Sequence, residues 1–199
     1  MFLLTLIAAT VLAQAPEQFQ VDAAATSVTI RVGRSGVFGF AGHDHEIVAP
    51  AVKGNISLDE SNVGRSSVSL EFDATALKVT GKDEPAADVP EVQRVMVSER
   101  VLDVQRYPTI AFHSPSVSLV DRTGSHMRIR ISGELTLHGA TRPLTVLVDV
   151  ARTGDRLTAE GRASVRQTDF GIQPVTAGAG TVRVRDQVDV VFKISARKR

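Results

Sequence analysis

The chain has no cysteine and no tryptophan, and a single tyrosine. Without cysteine there can be no disulfide, thiol nucleophile or thiolate metal site, so stability rests on an apolar core and any metal on imidazole or carboxylate ligands. Net charge is nearly absent too: 23 basic residues against 22 acidic ones leave +1 over 199 residues. A chain so balanced has no electrostatic footprint for nucleic acid, and the short basic tail Arg197-Lys198-Arg199 reads as a solvated end. Long apolar runs are missing beyond the first residues. The run Phe2 to Ala13 carries no charge, and as a helix it would span about 18 Å against a hydrocarbon core of about 30 Å.

That run is too short to cross a membrane and has the form of a secretory signal. Small residues stand at Val11-Leu12-Ala13 and Ala13-Gln14-Ala15 where cleavage would fall, although no Lys or Arg precedes the run. The expected division is a signal peptide over residues 1–15 and one domain over residues 16–199, with the mature protein beginning near Gln14 or Pro16. This implies a periplasmic or secreted location; a retained N-terminal anchor is the alternative. No composition shift, linker or repeat divides the remainder.

What is present is alternation. From Met127 to Val150, Met127, Ile129, Ile131, Leu135 and Leu137 share one face, while Arg128, Arg130, Ser132, Glu134, Thr136 and His138 take the other. A break at His138 to Pro143 supplies Gly and Pro for a reversal, and Leu144, Val146, Val148 and Val150 then resume the pattern. This is the period of two half-buried strands joined in a hairpin. The same period marks Ser27–Val32, Val52–Asp59 and Ser67–Ala74, with further strands expected at Val37–Phe40, around Leu77–Val79, and at Thr109–Leu119, Arg156–Val165 and Thr181–Ala196. Roughly eight strands are enough to close an all-β barrel or build a sandwich.

One segment departs from this period. Asp88-Val89-Pro90-Glu91 offers a capping Asp and a Pro suited to the first helical turn, and Val92, Val95, Met96 and Glu99 follow at helical spacing. The spacing predicts one short helix from Pro90 to about Val101, either capping an open barrel end or lying on the surface. The acids Asp83, Glu84, Asp88 and Glu91 read as a solvated face near its start.

Chemistry-bearing residues are sparse. Gly42-His43-Asp44-His45-Glu46 is the exception: in an extended chain His43 and His45 project to one side, as metal-ligating imidazoles must, with His113 or His138 as a third ligand. The same loop could instead hydrogen-bond a polar headgroup, with Gly39 and Gly42 allowing close approach, or be a plain polar turn. Arg166 could contact an anionic group, although a local ion pair with Asp169 is the simpler reading. No serine sits in a nucleophile elbow, and Gly178-Ala179-Gly180 opens no helix, so it is not a phosphate loop. Gly54, Gly133 and Gly161 on inward faces either leave room in the interior or mark bends and close packing.

Four segments in order carry a resemblance: Phe19-Gln20-Val21-Asp22 followed by Ser27-Val28-Thr29-Ile30; Val101 to Ser114; Gly133 to Gly139 with Thr141-Arg142-Pro143; and Arg166 to Ile172. Across Phe19 to Ala196 the chain resembles the YceI-like proteins, secreted bacterial proteins associated with binding polyisoprenoid lipids. It departs from their pattern in having Phe19 where Trp is usual, in Arg100-Val101-Leu102 where two Phe residues are common, and in the loop from Gly42 to Ile47.

The resemblance implies an extended antiparallel lipocalin-like β-barrel of about eight strands with one short helix. It further implies non-catalytic binding, storage or transport of an isoprenoid lipid or similar long amphiphile, with transient membrane contact and no cofactor. The expected lipid-contacting residues are Ile30, Phe38, Phe40, Ile56, Leu70, Phe72, Phe112, Ile129, Ile131, Leu135, Val146 and Phe192. Headgroup or other polar contacts are expected from His43, Asp44, His45 and Arg166. The alternatives are a metal-binding protein or metal-dependent enzyme centred on His43 and His45, and a fully packed structural or interaction barrel.

Overall fold

The computed structural model describes residues 15–35, 44–82, 84–177 and 182–199. Among the described residues twelve strands form one antiparallel sheet: β1 (Glu17–Val21), β2 (Ser27–Ser35), β3 (His45–Val48), β4 (Val52–Leu58), β5 (Ser67–Asp73), β6 (Lys78–Val79), β7 (Thr109–Thr123), β8 (His126–Leu137), β9 (Ala140–Thr153), β10 (Arg156–Arg166), β11 (Thr176–Ala177) and β12 (Val182–Lys198). Pairing runs β1-β4-β5-β7-β8-β9-β10-β12 and returns to β1, which closes a ring of eight. The remaining wall follows from interrupted strands. The long β12 pairs with β1 through Ala196–Lys198 and with β2 through Arg183–Lys193. Beyond it β3 pairs with β2, and β6 with β3. Thus β1 and β2, β3 and β4, and β5 and β6 each occupy one wall position broken by a short irregular segment.

The expected hairpin is β8–β9, in register from His126↔Ala151 to Leu137↔Ala140. Its turn carries two left-handed residues, His138 and Gly139. A side chain at Gly139 would overlap the Tyr107 ring, 2.4 Å away, so both the turn conformation and the close packing require glycine.

Several sequence readings need correction. The helix α1 spans Val89–Val97 and ends before Val101, and Asp88 precedes it without a side-chain cap hydrogen bond. Its role as a cover holds: Gln93 accepts a hydrogen bond from the Val79 amide at 2.9 Å and donates to the Leu77 carbonyl at 3.0 Å, tying the helix to the β6 edge. The basic tail is solvent-exposed as expected but is not a free end. Its backbone lies in β12 against β1, Arg197 reaches Asp22 at 3.1 Å and Lys198 reaches Glu17 at 3.3 Å. Of the two readings of the inward glycines, close packing is the one the structure supports. A Cβ on Gly161 would meet the Phe192 ring at 2.6 Å, and one on Gly133 the His113 carbonyl oxygen at 2.4 Å, so each admits a neighbour. The expected strand at Val37–Phe40 and the Gly178–Gly180 segment lie outside the described residues.

One half of the barrel is filled. Phe19, Leu58, Val63, Met127, Ile129, Val150, Leu157 and Ala196 interdigitate there, and Phe19 has no exposed surface. Over this end, Arg152 links Glu17 at 2.7 Å and Glu60 at 2.6 Å, with Lys198 also on Glu17. Partial burial would raise the Glu17 pKa, but hydrogen bonds from Arg152 and Lys198 outweigh it and hold the carboxyl below its ordinary range. Asp59 is lowered by the Ser61 hydroxyl and the Asn62 amide. Groups depressed in the fold stabilise it above the unfolded carboxylate pKa, and that contribution disappears as pH falls through the folded value. The urea midpoint is therefore expected to be steady above about pH 5 and to drop below about pH 4. Glu17→Gln should lower the neutral-pH midpoint and flatten the acid slope, as denaturation curves at several pH values will show.

Candidate functional site

The other half of the barrel is hollow. Period-two side chains from β2, β4, β5, β7, β8, β9, β10 and β12 surround a cavity of about 270 Å³, and Met96, Val101 and Leu102 from α1 and the segment after it close over it. Among the described residues Gln167 is the one polar side chain on its wall, and its amide is already spent on the Arg185 carbonyl at 2.8 Å. Such a lining offers a ligand dispersion contact and release of water, with little hydrogen bonding and no charge.

A second space of about 410 Å³ adjoins it, with Val32, Ile47, Met96, Val101 and Gln167 bordering both. This vestibule is amphipathic. Arg34, His45, Glu91, Arg100 and Arg183 line it together with Val92, Val95, Val175 and Val184. Small-molecule sites measure about 300–1,000 Å³; the vestibule falls within that range and the cavity just below it, and together they make an apolar chamber behind a polar mouth.

Of the residues expected to contact lipid, Ile30, Ile56, Leu70, Phe72, Phe112, Ile131, Leu135, Val146 and Phe192 line the cavity. Ile129 faces the same interior but belongs to the packed floor. Phe38 and Phe40 lie outside the described residues. Several lining residues, among them Ile30, Leu70 and Phe192, are only partly buried although they point inward. Strand parity did not nominate Met96, Val101 or Leu102, although the helical spacing of Val92, Val95 and Met96 was a usable signal.

The polar residues are arranged differently from expectation. His43 lies outside the described residues, and Asp44 is exposed, its Oδ1 accepting a hydrogen bond from the Arg34 amide at 3.2 Å. His45 is not in a loop: it begins β3, paired with Val32. Its Nδ1 lies 3.0 Å from Glu84 Oε2, and the Glu84 side chain is fully buried. Glu84 is thus no part of a solvated acidic face. The carboxylate accepts, so Nδ1 donates and Nε2 is left as the ring's other polar atom. Among the described residues no three His, Asp or Glu side chains come together in a metal-binding group; His113 is exposed on β7 and His138 is held at 3.2 Å from the Phe170 carbonyl.

Arg166 is exposed at the start of the 3-10 turn Gln167–Phe170 and forms no ion pair with Asp169 among the described residues. The turn is fixed instead by Asp186, which accepts from the Thr168 amide at 2.9 Å and its hydroxyl at 2.8 Å. Asp186 is 18 residues from Thr168 in sequence, which is why a local pair was the natural reading.

Comparison with known proteins agrees with this architecture. The YceI-like domain family model matches residues 19–196. The chain is 27% identical over 146 residues to a UPF0312 protein of Vibrio campbellii, covering 70% of each. It is 27% identical over 132 residues to a UPF0312 protein of Vibrio cholerae, covering 63% of this chain and 64% of that relative. Among solved structures, Burkholderia cenocepacia BcnA is similar with a TM-score of 0.67 at 18% identity, covering 88% of this chain and 98% of that one. The Campylobacter jejuni YCEI protein is similar with a TM-score of 0.57 at 12% identity, covering 75% and 82%. At these identities the structural likeness speaks for the fold.

Proposed function

The chain belongs to the YceI-like domain family, and on that premise we propose that it binds an isoprenoid lipid or a similar long amphiphile, for storage or transport and without catalysis. The observation that carries this reading is the apolar chamber of about 270 Å³, on whose wall the one polar side chain among the described residues, Gln167, already donates its Nε2 to the Arg185 carbonyl. A packed structural barrel has no reason to keep such a space, because an unfilled void forfeits dispersion contacts along its whole lining. The metal reading has no comparable observation behind it: among the described residues no three His, Asp or Glu side chains come together.

Burying a tail stabilises the complex relative to water by about 0.8 kcal/mol per methylene. A lipid, however, comes from a membrane. Moving its tail from bilayer to barrel exchanges one apolar medium for another, so transfer is close to neutral and reversible, as a carrier requires. Contact with the membrane is then transient, and the mature chain acts in the periplasm or outside the cell. The uncharged run Phe2–Ala13 supports that location.

The test uses delipidated protein and phosphatidylcholine vesicles containing radiolabelled geranylgeraniol. Uptake of up to one label per chain, with the alcohol recovered unchanged, is the expected result. Label that stays wholly in the vesicles, or emerges chemically altered, contradicts a non-catalytic carrier.

A further inference from the structure

The vestibule has an unbalanced charge. Among the described residues three arginines line it, Arg34 from β2, Arg183 from β12 and Arg100 just after α1, against one lining acid, Glu91. Glu91 is committed elsewhere: Arg94 holds both its oxygens, at 2.7 and 2.6 Å. Glu84 is buried behind His45 and does not line the space. Asp44 sits beside Arg34, 3.9 Å from its Nε. Arg183 forms no ion pair among the described residues, and Arg100 acts on Glu91 only through space, without a contact; both are exposed. Two guanidinium groups are therefore presented, neither in contact with a carboxylate among the described residues, at the entrance to a chamber that is almost wholly apolar further in.

Guanidinium forks match carboxylate and phosphate oxygens in pairs. From this placement we infer that the barrel takes a single-chain amphiphile with an anionic head, a terminal carboxylate or phosphate monoester, which Arg100 and Arg183 hold while the tail fills the cavity. The inference rests on the reading that the chamber accepts an apolar tail, and it adds that the mouth selects the head by charge. The packed floor of Phe19, Ile129 and Leu157 stops the tail from passing through the barrel, so head and tail cannot exchange ends.

Three ligands with the same C12 tail separate the terms: laurate, dodecyl phosphate and lauramide, each titrated below its micelle concentration into delipidated protein at fixed ionic strength. Wild type is expected to bind both anions at least tenfold more tightly than lauramide. In the Arg100→Gln/Arg183→Gln protein this preference should shrink to less than threefold, with lauramide binding unchanged; Arg130→Gln, an exposed charge on the outer face of β8, should keep it. Inorganic phosphate alone should bind at least a hundredfold more weakly than dodecyl phosphate. Equal binding of all three amphiphiles in wild type, or a preference that survives the double substitution, overturns the anionic-head inference while leaving the tail site standing. Phosphate binding as tight as dodecyl phosphate overturns it as well, since the tail would then add nothing. Failure of all three to bind overturns both readings.

Discussion

Ala159→Trp is expected to abolish lipid occupancy while leaving a folded barrel. Ala159 lies on β10, paired with Val150 and Ile194, and lines the cavity. An indole there projects into space that is empty rather than into a packed neighbour. Overpacking a filled core costs about 1–3 kcal/mol; here the ring finds room, so the stability change should sit at or below that range. The ligand loses the same room, and a tryptophan buries about 150–250 Å² of its own surface in it. Occupancy should fall at least tenfold by lipid extraction, with circular dichroism and the thermal midpoint close to wild type. A folded variant that retains full lipid contradicts the assignment of the cavity as the tail site.

Phe19→Ala should be the most damaging single change outside the cavity. Phe19 is fully buried at the floor, paired through β1 with Ile56 and Lys198, and the Arg152 guanidinium lies 5.6 Å from its ring centre. Truncating a buried phenylalanine costs about 3–5 kcal/mol, part of it lost transfer energy and part the void left behind. For a chain of this size that corresponds to a fall in melting temperature of roughly 6–20 °C. The void also opens from the floor toward the cavity, so the surviving protein should accept a longer tail than wild type. A shift of only a degree or two would mean that the floor relaxes around the loss and does not act as a rigid stop.

Strand parity was legible because it is local. Ile131, Leu135 and Val146 could be assigned to one interior from neighbouring residues alone, and pairing then required nothing beyond the β8–β9 turn. The short strands were harder to read. β3 has four residues, and its existence depends on β2 and β6 arriving from elsewhere in the chain, so His45 looked like part of a loop. The same non-local dependence hid the Glu84 partner of His45 and the Asp186 cap on Thr168.

The inward glycines stayed ambiguous for a different reason. The sequence shows a missing side chain at Gly133 or Gly161, whereas only the fold shows that the His113 carbonyl or the Phe192 ring moves into the gap. The hollow itself was only half visible: alternation separates inside from outside, but the division of one interior into a packed floor and an open chamber depends on how side chains from eight strands meet. The arginines of the vestibule carried no local signal, since Arg100 and Arg183 are far apart in sequence and meet only around the mouth.

Native mass spectrometry of the protein purified from its own host tests the central claim most directly, because it weighs the chain with whatever it carries. The account predicts one amphiphile-sized excess mass per chain, removed by organic solvent and absent from Ala159→Trp. A bare chain mass under conditions that preserve the fold, or an excess equal to one transition-metal ion that disappears in His45→Ala, would contradict it.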